Sequence, residues 1–366
     1  MKEFMNVQAE QLLNFTRNIL LAWGMRADDA RTTAKLLVET DLRAIDSHGV
    51  SMLPMYEKMY EQGTLNMVPN RTFVRETQVL ALIDADRGLG HPIAQDAMFL
   101  ACKKARICGV GMVGVRNSHH FGATGLYAEM AAQQGMLGLV TSSTSVAGVI
   151  PSFGAEPLLG TNPIAFAAPA QRHAPFLLDM STSTVAVNKV KVYALNDKPL
   201  PAGWVVNGRG ESIRDSSAAL ELCHAQRDGG ITPLGGDTET GGHKGYGLSV
   251  MVQLLSSALT GGSFSPVRNR EAIGPVPHNI GHFFLAIDPQ AFRGEGEFEN
   301  DVDSVIDVLT GSRPSQADRP VQMAGDSERA ARSERERNGI PMPETLLAQL
   351  RLIASKAGVP YTFAGV

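Results

Sequence analysis

Cysteine is scarce in this chain of 366 residues: Cys102, Cys108 and Cys223 are all there are. Three thiols so irregularly placed make neither a disulfide framework nor a zinc site, which points to a reducing compartment and a cytoplasmic protein. Net charge is also slight, −4 from 33 basic and 37 acidic residues, so no electrostatic footprint for nucleic acid or an anionic membrane exists. Long apolar runs are missing too. No stretch approaches the roughly 18 uncharged apolar residues of a membrane span, and MKEFMNVQAEQLLNF has no basic segment leading into an apolar one. What remains is 43% hydrophobic and 19% charged, with 37 Gly and 20 Pro, which excludes a mainly disordered chain and a coiled coil. The length exceeds what one core usually serves, so one large domain with an appendage, or two domains, is expected.

Periodicity predicts two amphipathic helices between about residues 8 and 46. Leu12, Phe15, Ile19 and Leu20 form the first buried stripe, and Ala34, Leu37 and Val38 the second. Asp28 and Asp29 offer an N-cap for the second helix, and Pro54 marks a new helix start. From about residue 78 strands and helices alternate. VLALIDA, GMVGV and MLGLVTSS read as strands, with helices from Pro92 and over GATGLYAEMAAQQ between them. That order is an α/β signature. IAFAAP, PFLLDM and GHFFLAIDP read as further strands. KGYGLSVMVQLLSSALTGG is apolar around most of its circumference, which predicts a buried helix. Residues 293–327 read as an irregular polar connection before a charged helix beginning at SERAARSERERNG, whose charge run is a solvated face.

Gly109, Gly111 and Gly114 spell G-x-G-x-x-G, but they follow a helix and open a strand, the reverse of a dinucleotide fingerprint. An ordinary Rossmann site is therefore not supported. The histidines give a better lead. His120 lies between a strand and a helix, where ligands gather outside the carboxyl ends of strands, and a histidine there can exchange a proton with a substrate oxygen. His48, beside Asp46 and Ser47, occupies a similar helix-to-turn junction. His91, His278 and His282 read as structural. No HxH, HExxH or Cys/His cluster supports a metal. TSSTS (141–145) and STST (181–184) each follow an apolar strand, and read either as strand-end caps or as hydroxyls facing a ligand. Neither is a G-x-S-x-G elbow, so a hydrolase nucleophile lacks support. GGHKGYG places Lys244 at a helix start, where it can meet a phosphate.

Six separated strings carry a resemblance: DLRAIDSHGVSMLPMY, VRNSHHFGATGLYA, PSFGAEPLLGTNPIAFAAP, LLDMSTSTVAVNK, PLGGDTETGGHKGYGLSVM and GHFFLAIDP. In this order, from about residue 5 to 355, they resemble the type 2 malate/L-lactate dehydrogenase family. That family includes ureidoglycolate dehydrogenase, diketogulonate reductase, sulfolactate dehydrogenase and Δ1-piperideine-2-carboxylate reductase. The resemblance implies an α/β fold with a non-Rossmann, NAD(P)-binding mixed sheet and a helical substrate-side region. It implies a division into a helical N-terminal region (1–75) packing with the C-terminal helices, a cofactor-binding α/β domain (76–290), and a polar connection with C-terminal helices (291–366). It also implies a homodimer, with a small-molecule 2-oxo or 2-hydroxy acid as the substrate partner and no nucleic acid or membrane.

The implied chemistry is reversible hydride transfer between NAD or NADP and a small 2-hydroxy acid. Position by position, the resemblance gives catalytic roles to His48, His120 and Ser47. It gives cofactor contacts to Ser142, Asp179, Met180, Ser181, Thr182, Ser183, His243 and Lys244, and more loosely to Gly325, Asp326 and Ser327. Asn162 and Arg43 are the expected substrate contacts. One departure stands out: the family commonly reads S-H-G-V-x-R-x-P, with an arginine thought to clamp the substrate carboxylate, and here that position is Met52. Methionine cannot replace a bidentate fork. Met52 keeps two alternatives open, a reductase of a cyclic imino acid or sugar-derived keto acid, and a catalytically impaired cofactor-binding member. Lys189, near the place where imine-reducing members carry an acidic residue, leans toward hydroxy-acid chemistry.

Overall fold

The stripe of Leu12, Phe15, Ile19 and Leu20 is the buried face of α1 (Ala9–Ala22), and Ala34, Leu37 and Val38 are buried on α2 (Ala27–Leu42). The cap of α2 differs from expectation: Arg26 is the N-cap, and Asp28 and Asp29 stand in the first turn, where carboxylates favour the helix dipole. This is a computed structural model describing residues 4–237 and 239–363. A strand β1 (Phe4–Val7) precedes these helices, and α3 (Leu53–Glu61) follows with Pro54 in its first turn. Then come β2 (Thr72–Glu76), β3 (Leu80–Asp84), α4 (Gly90–Cys108), β4 (Val110–Ser118), α5 (Gly125–Ala132) and β5 (Leu137–Ser142). β6 (Ile164–Ala168), β7 (Phe176–Met180), α6 (Val187–Ala194), β8 (Val205–Asn207), α7 (Ser216–Ala225) and β9 (Gly229–Ile231) continue the chain. It ends through α8 (Gly242–Gln253), α9 (Ser265–Glu271), β10 (Ile280–Ile287), α10 (Glu297–Thr310), α11 (Asp326–Asn338), β11 (Ile340–Pro343) and α12 (Glu344–Ala357).

The main sheet has the order β2-β3-β4-β10-β5-β6-β7, with β3 and β4 parallel and every other neighbour antiparallel. It is a mixed sheet, and the false fingerprint falls where its chemistry dictates: Gly109 caps α4 with φ 79° and Gly111 lies inside β4. A Cβ on Gly111 would fall 2.0 Å from the carbonyl oxygen of Ala101, so this glycine lets α4 close onto the sheet. The resulting core is rich in alanine, with Ala97, Ala101, Ala105, Ala128 and Ala131 buried beneath Val113, Val140 and Phe284.

A second core joins the two ends of the chain. Leu12, Ile19, Leu37 and Tyr56 pack with Leu347, Leu350 and Ile353 of α12, and β1 pairs antiparallel with β11. A third, smaller core gathers Val149, Val190, Leu200, Val205 and Ile231 around the β8–β9 pair. Residues 76–290 thus hold two cores, the sheet's and this one. Among the described residues no helix is long and apolar enough to cross a membrane.

Two sequence expectations fail here for identifiable reasons. Residues 297–310, expected to be irregular, form α10. Phe298, Val302, Val305, Ile306 and Leu309 recur at helical spacing, but Val305, Val308 and Leu309 face solvent and only Asp303 and Ile306 are buried. It docks instead through Asp303, whose carboxylate accepts the amides of Arg172 (2.9 Å) and His173 (3.2 Å). The helix expected to be buried is α8 followed by a π-helical turn at Leu254–Ala258, and it leaves Met251 of α8, Leu254 of the turn and Leu259 just beyond it exposed.

Candidate active site

β4 and β5 both run antiparallel to β10, and β5 and β7 both run antiparallel to β6, so β4, β5 and β7 point the same way. Their carboxyl ends open at one edge of the sheet, the place where ligands bind in open α/β folds. There the chain passes from β4 into His119–His120, from β5 into Ser143, and from β7 into Ser181–Thr184.

His48 comes to this region on the turn after α2. The amide of Val50 donates to Asp41 Oδ2 at 2.9 Å, and a Cβ on Gly49 would fall 1.9 Å from Asp41 Oδ1. The turn lies so close on that carboxyl that only glycine fits, which explains the Ser-His-Gly string physically. Burial holds the Asp41 carboxyl well above the usual range. Ser47 Oγ stands 2.7 Å from His48 Nδ1.

The His48 and His120 rings lie 5.4 Å apart between centroids. Tyr56, fully buried on α3, places its hydroxyl 2.7 Å from His120 Nδ1, and the Gly122 amide donates to the same nitrogen at 3.3 Å. An amide only donates, so Nδ1 accepts and the ring proton is assigned to Nε2 in this arrangement. Both Nε2 atoms lack a protein partner among the described residues, and both side chains are half-buried, so each ring presents one free nitrogen. Desolvation lowers the pKa of His48. It also lowers that of His120 well below 6.5, with the neighbouring His48, His91 and His282 adding to the effect. Two neutral, hydroxyl-anchored imidazoles side by side can take or return a proton.

Tyr56 is a site residue that sequence reasoning missed, although it ends the same string as Ser47 and His48. His91, read as structural, lies 6.4 Å from His120 between ring centroids, and neither of its buried ring nitrogens has a partner among the described residues. Met52 is half-buried against the helical core. The two arginines nearest in sequence to these motifs are engaged elsewhere. Arg116 Nε pairs with Asp84 at 3.1 Å, and Arg43 pairs with Glu39 at 2.9 Å and Glu129 at 2.6 Å.

Several expected contacts turn inward. Ser142 Oγ donates to the Ser143 carbonyl (2.8 Å) and meets His282 Nδ1 (2.8 Å), while His282 Nε2 reaches Ser118 Oγ (3.1 Å). His282 therefore ties β4 and β5 to β10. Thr182 Oγ1 donates to the Asn162 carbonyl (2.9 Å), Ser181 to Ser183 O (3.2 Å) and Ser183 to Val185 O (2.8 Å), so these hydroxyls shape their own loop. Asn162 is fully buried. Its Nδ2 donates to Ser249 O (3.1 Å) and Gln253 Oε1 (3.2 Å) on α8, while its Oδ1 has no partner among the described residues. The Leu234 amide donates to the Thr182 carbonyl at 2.9 Å, joining this loop to the segment that carries His243 and Lys244, both exposed at the start of α8.

A second focus forms where β7 meets the start of α11. The Leu177 amide donates to the Ala324 carbonyl (3.3 Å), which lays Gly325, Asp326 and Ser327 beside Asp179. A cavity of about 140 Å³ lies between them, lined by Arg43, Gly125, Asp179, Gly325, Ser327 and Glu328 among others. Asp179 Oδ2 accepts the Gly125 amide at 2.8 Å, and a Cβ on Gly125 would sit 2.8 Å from that oxygen. Oδ1 has no protein partner among the described residues. The side chain is open to water at the cleft mouth, yet the surrounding protein pushes its carboxyl up to about 6. A glycine-floored cavity with an accessible carboxylate oxygen suits a ribose, whose hydroxyls donate to such an acceptor. Among the described residues no group of three or more His, Cys, Asp or Glu is arranged to hold a metal ion.

A profile of the family described as malate/L-lactate dehydrogenase matches residues 7–351. Malate dehydrogenase of Pyrococcus abyssi is 38% identical over 98% of this chain and 96% of its own. L-sulfolactate dehydrogenase of Methanocaldococcus jannaschii is 34% identical over 93% and 94%. The crystal structure of malate dehydrogenase from Entamoeba histolytica superposes with a TM-score of 0.93 at 30% identity, covering 99% of this chain and 100% of that one.

Proposed function

The chain belongs to the malate/L-lactate dehydrogenase family, and from that premise we propose how its own residues perform the family's reaction. It is an oxidoreductase acting on the CH–OH group of small 2-hydroxy acids and on their 2-oxo partners. The family implies a nicotinamide cofactor, which when bound exchanges the hydride at the substrate's α-carbon. Asp179 and the Gly325–Ser327 segment hold the ribose end. The Ser181–Ser183 loop, with Met180 before it and His243 and Lys244 beside it, frames the path toward the histidines. Asn162 braces that loop against α8, and Ser142 braces the sheet behind it.

His120 exchanges the substrate proton at Nε2. Taking a hydroxyl proton requires the tautomer with hydrogen on Nδ1, which Tyr56 Oη can accept, at the loss of the 3.3 Å contact from the Gly122 amide. In the reverse direction the proton on Nε2 polarises a carbonyl oxygen. His48, anchored by Ser47, supplies a second neutral imidazole for the same oxygen or the neighbouring carboxylate. The observation that carries this reading is the pair of rings 5.4 Å apart, each held at Nδ1 by a hydroxyl and free at Nε2. Following nicotinamide absorbance against pyruvate, oxaloacetate, 2-oxoglutarate, a diketo sugar acid and a cyclic imino acid tests it. Turnover of a 2-oxo acid is expected. Turnover of the imino acid alone would overturn the substrate reading, and turnover of nothing would leave a binding protein.

We also propose a homodimer in the cytoplasm. Leu254 (56% exposed) and Leu259 (64%) stand beside an apolar groove lined by Leu158, Tyr246, Val250 and Phe264, a face suited to a second copy. The three cysteines are free, which supports a reducing compartment. Leu254→Glu should convert the dimer to monomers in analytical ultracentrifugation; an unchanged mass would place the interface elsewhere.

A further inference from the structure

The cavity beside Asp179 carries more information than the presence of a cofactor. Each of the arginines around it, Arg43, Arg329 and Arg332, already pairs with at least one carboxylate. Arg43 points Nε at Glu39 (2.9 Å) and Nη2 at Glu129 (2.6 Å). Arg329 gives Nη2 to Asp326 (2.6 Å) and Nη1 to the carbonyl of Pro175 (3.1 Å). Arg332 gives Nε to Glu39 (2.8 Å) and Nη1 to Glu336 (2.8 Å). Two carboxylates of the cavity wall, Asp179 and Glu328, form no ion pair within 4 Å among the described residues, and Arg43 of the same wall acts on Asp179 only from farther away. Glu328 is half-buried and accepts only the Ser327 hydroxyl, at 2.8 Å.

A ribose 2′-hydroxyl and a ribose 2′-phosphate ask opposite things of such a wall. The hydroxyl donates a hydrogen bond to a carboxylate oxygen. The phosphate brings about 1.5–2 negative charges and needs an unengaged guanidinium or ammonium to meet them. Here it would meet two carboxylates, and recruiting an arginine would break a pair such as Arg43–Glu129, whose side chains are only 10% and 12% exposed. Breaking a shielded pair leaves a carboxylate stranded, which is strongly unfavourable.

We propose that this cavity makes the enzyme selective for NAD over NADP, with Asp179 accepting the ribose hydroxyl and Glu328 excluding a 2′-phosphate. The proposal rests on the reading that the cavity takes the adenosine end of the cofactor. Direct binding separates the two. Dissociation constants for NADH and NADPH are measured by nicotinamide fluorescence, without turnover, for the wild type and for Glu328→Arg and Gly125→Leu. Wild-type protein should bind NADH at least about tenfold more tightly than NADPH, and Glu328→Arg should close or reverse that gap mainly by strengthening NADPH. The gap should also narrow with added salt for the wild type, because the repelling carboxylates are open to solvent on one side and salt screens them in part. Gly125→Leu, which fills the cavity, should weaken both cofactors. Equal or tighter NADPH binding by the wild type would overturn the selectivity. If Gly125→Leu left both affinities unchanged in a folded protein, the cavity would not be the ribose site, and the reading beneath the proposal would fall with it.

Discussion

The hydroxyl of Tyr56 on α3 lies 2.7 Å from Nδ1 of His120, which stands just beyond the carboxyl end of β4. This contact joins the helical core shared by the chain ends to the mixed sheet, at the point where the proton is handled. It makes Tyr56 a positioning residue that holds the His120 ring at Nδ1.

Tyr56→Phe keeps the ring in its fully buried place and removes only that hydroxyl. A hydrogen bond of this kind contributes about 1–1.5 kcal/mol, so kcat should fall by about tenfold. Cofactor affinity and thermal stability should change little. An unchanged kcat, with an unshifted pH profile, would show that His120 does not depend on Tyr56.

The buried histidines make stability depend on pH in a defined direction. Burial holds His91, His119 and His282 neutral, lowering each to about 3 from the 6.5 of the unfolded chain. Below that unfolded value the unfolded state binds more protons than the folded one, so stability is full above about pH 6.5 and is lost as the pH falls toward 3. Thermal melts taken from neutral pH down to about pH 5 should show a steadily falling Tm. A Tm that held constant over this interval would mean these rings are already solvated.

Met52 stands where the sequence resemblance leads to the expectation of an arginine. Neither Arg43 nor Arg116 is free to substitute, since both are paired with carboxylates. Met52→Arg should therefore supply a charge-assisted fork and raise kcat/KM for oxaloacetate by about tenfold or more, with a smaller change for pyruvate. A fall in kcat/KM for both acids would show that the methionine shapes a pocket that an arginine obstructs.

The elements with regular periodicity were legible in the sequence. The α1 and α2 stripes, the strands that become β3, β4, β5, β6, β7 and β10, and the misplaced glycine string could be read because each depends on neighbours a few residues away. Ser47 and His48 could be read for the same reason, since Gly49 must clear Asp41 in the same short segment. What escaped depends on residues far apart in the chain. Tyr56 gains its meaning only when α3 packs under His120. Asp179 and Glu328 share a cavity only because Ala324 bonds to Leu177. α10 was legible by the same periodicity, in Phe298, Val302, Val305, Ile306 and Leu309, but the charged residues on either side of it led the reading to a polar connection.

The most direct test of the account is a single-turnover reduction of a 2-oxo acid by nicotinamide carrying deuterium at C4, in the wild type and in His120→Ala. The wild type should deliver deuterium to the α-carbon of the hydroxy acid product. His120→Ala should bind the reduced cofactor normally, yet deliver the label slower by about 10²–10⁴-fold. Deuterium transfer in His120→Ala within about tenfold of the wild-type rate would contradict the assignment of the proton to His120. Absence of label at the α-carbon in the wild-type product would contradict direct hydride transfer itself.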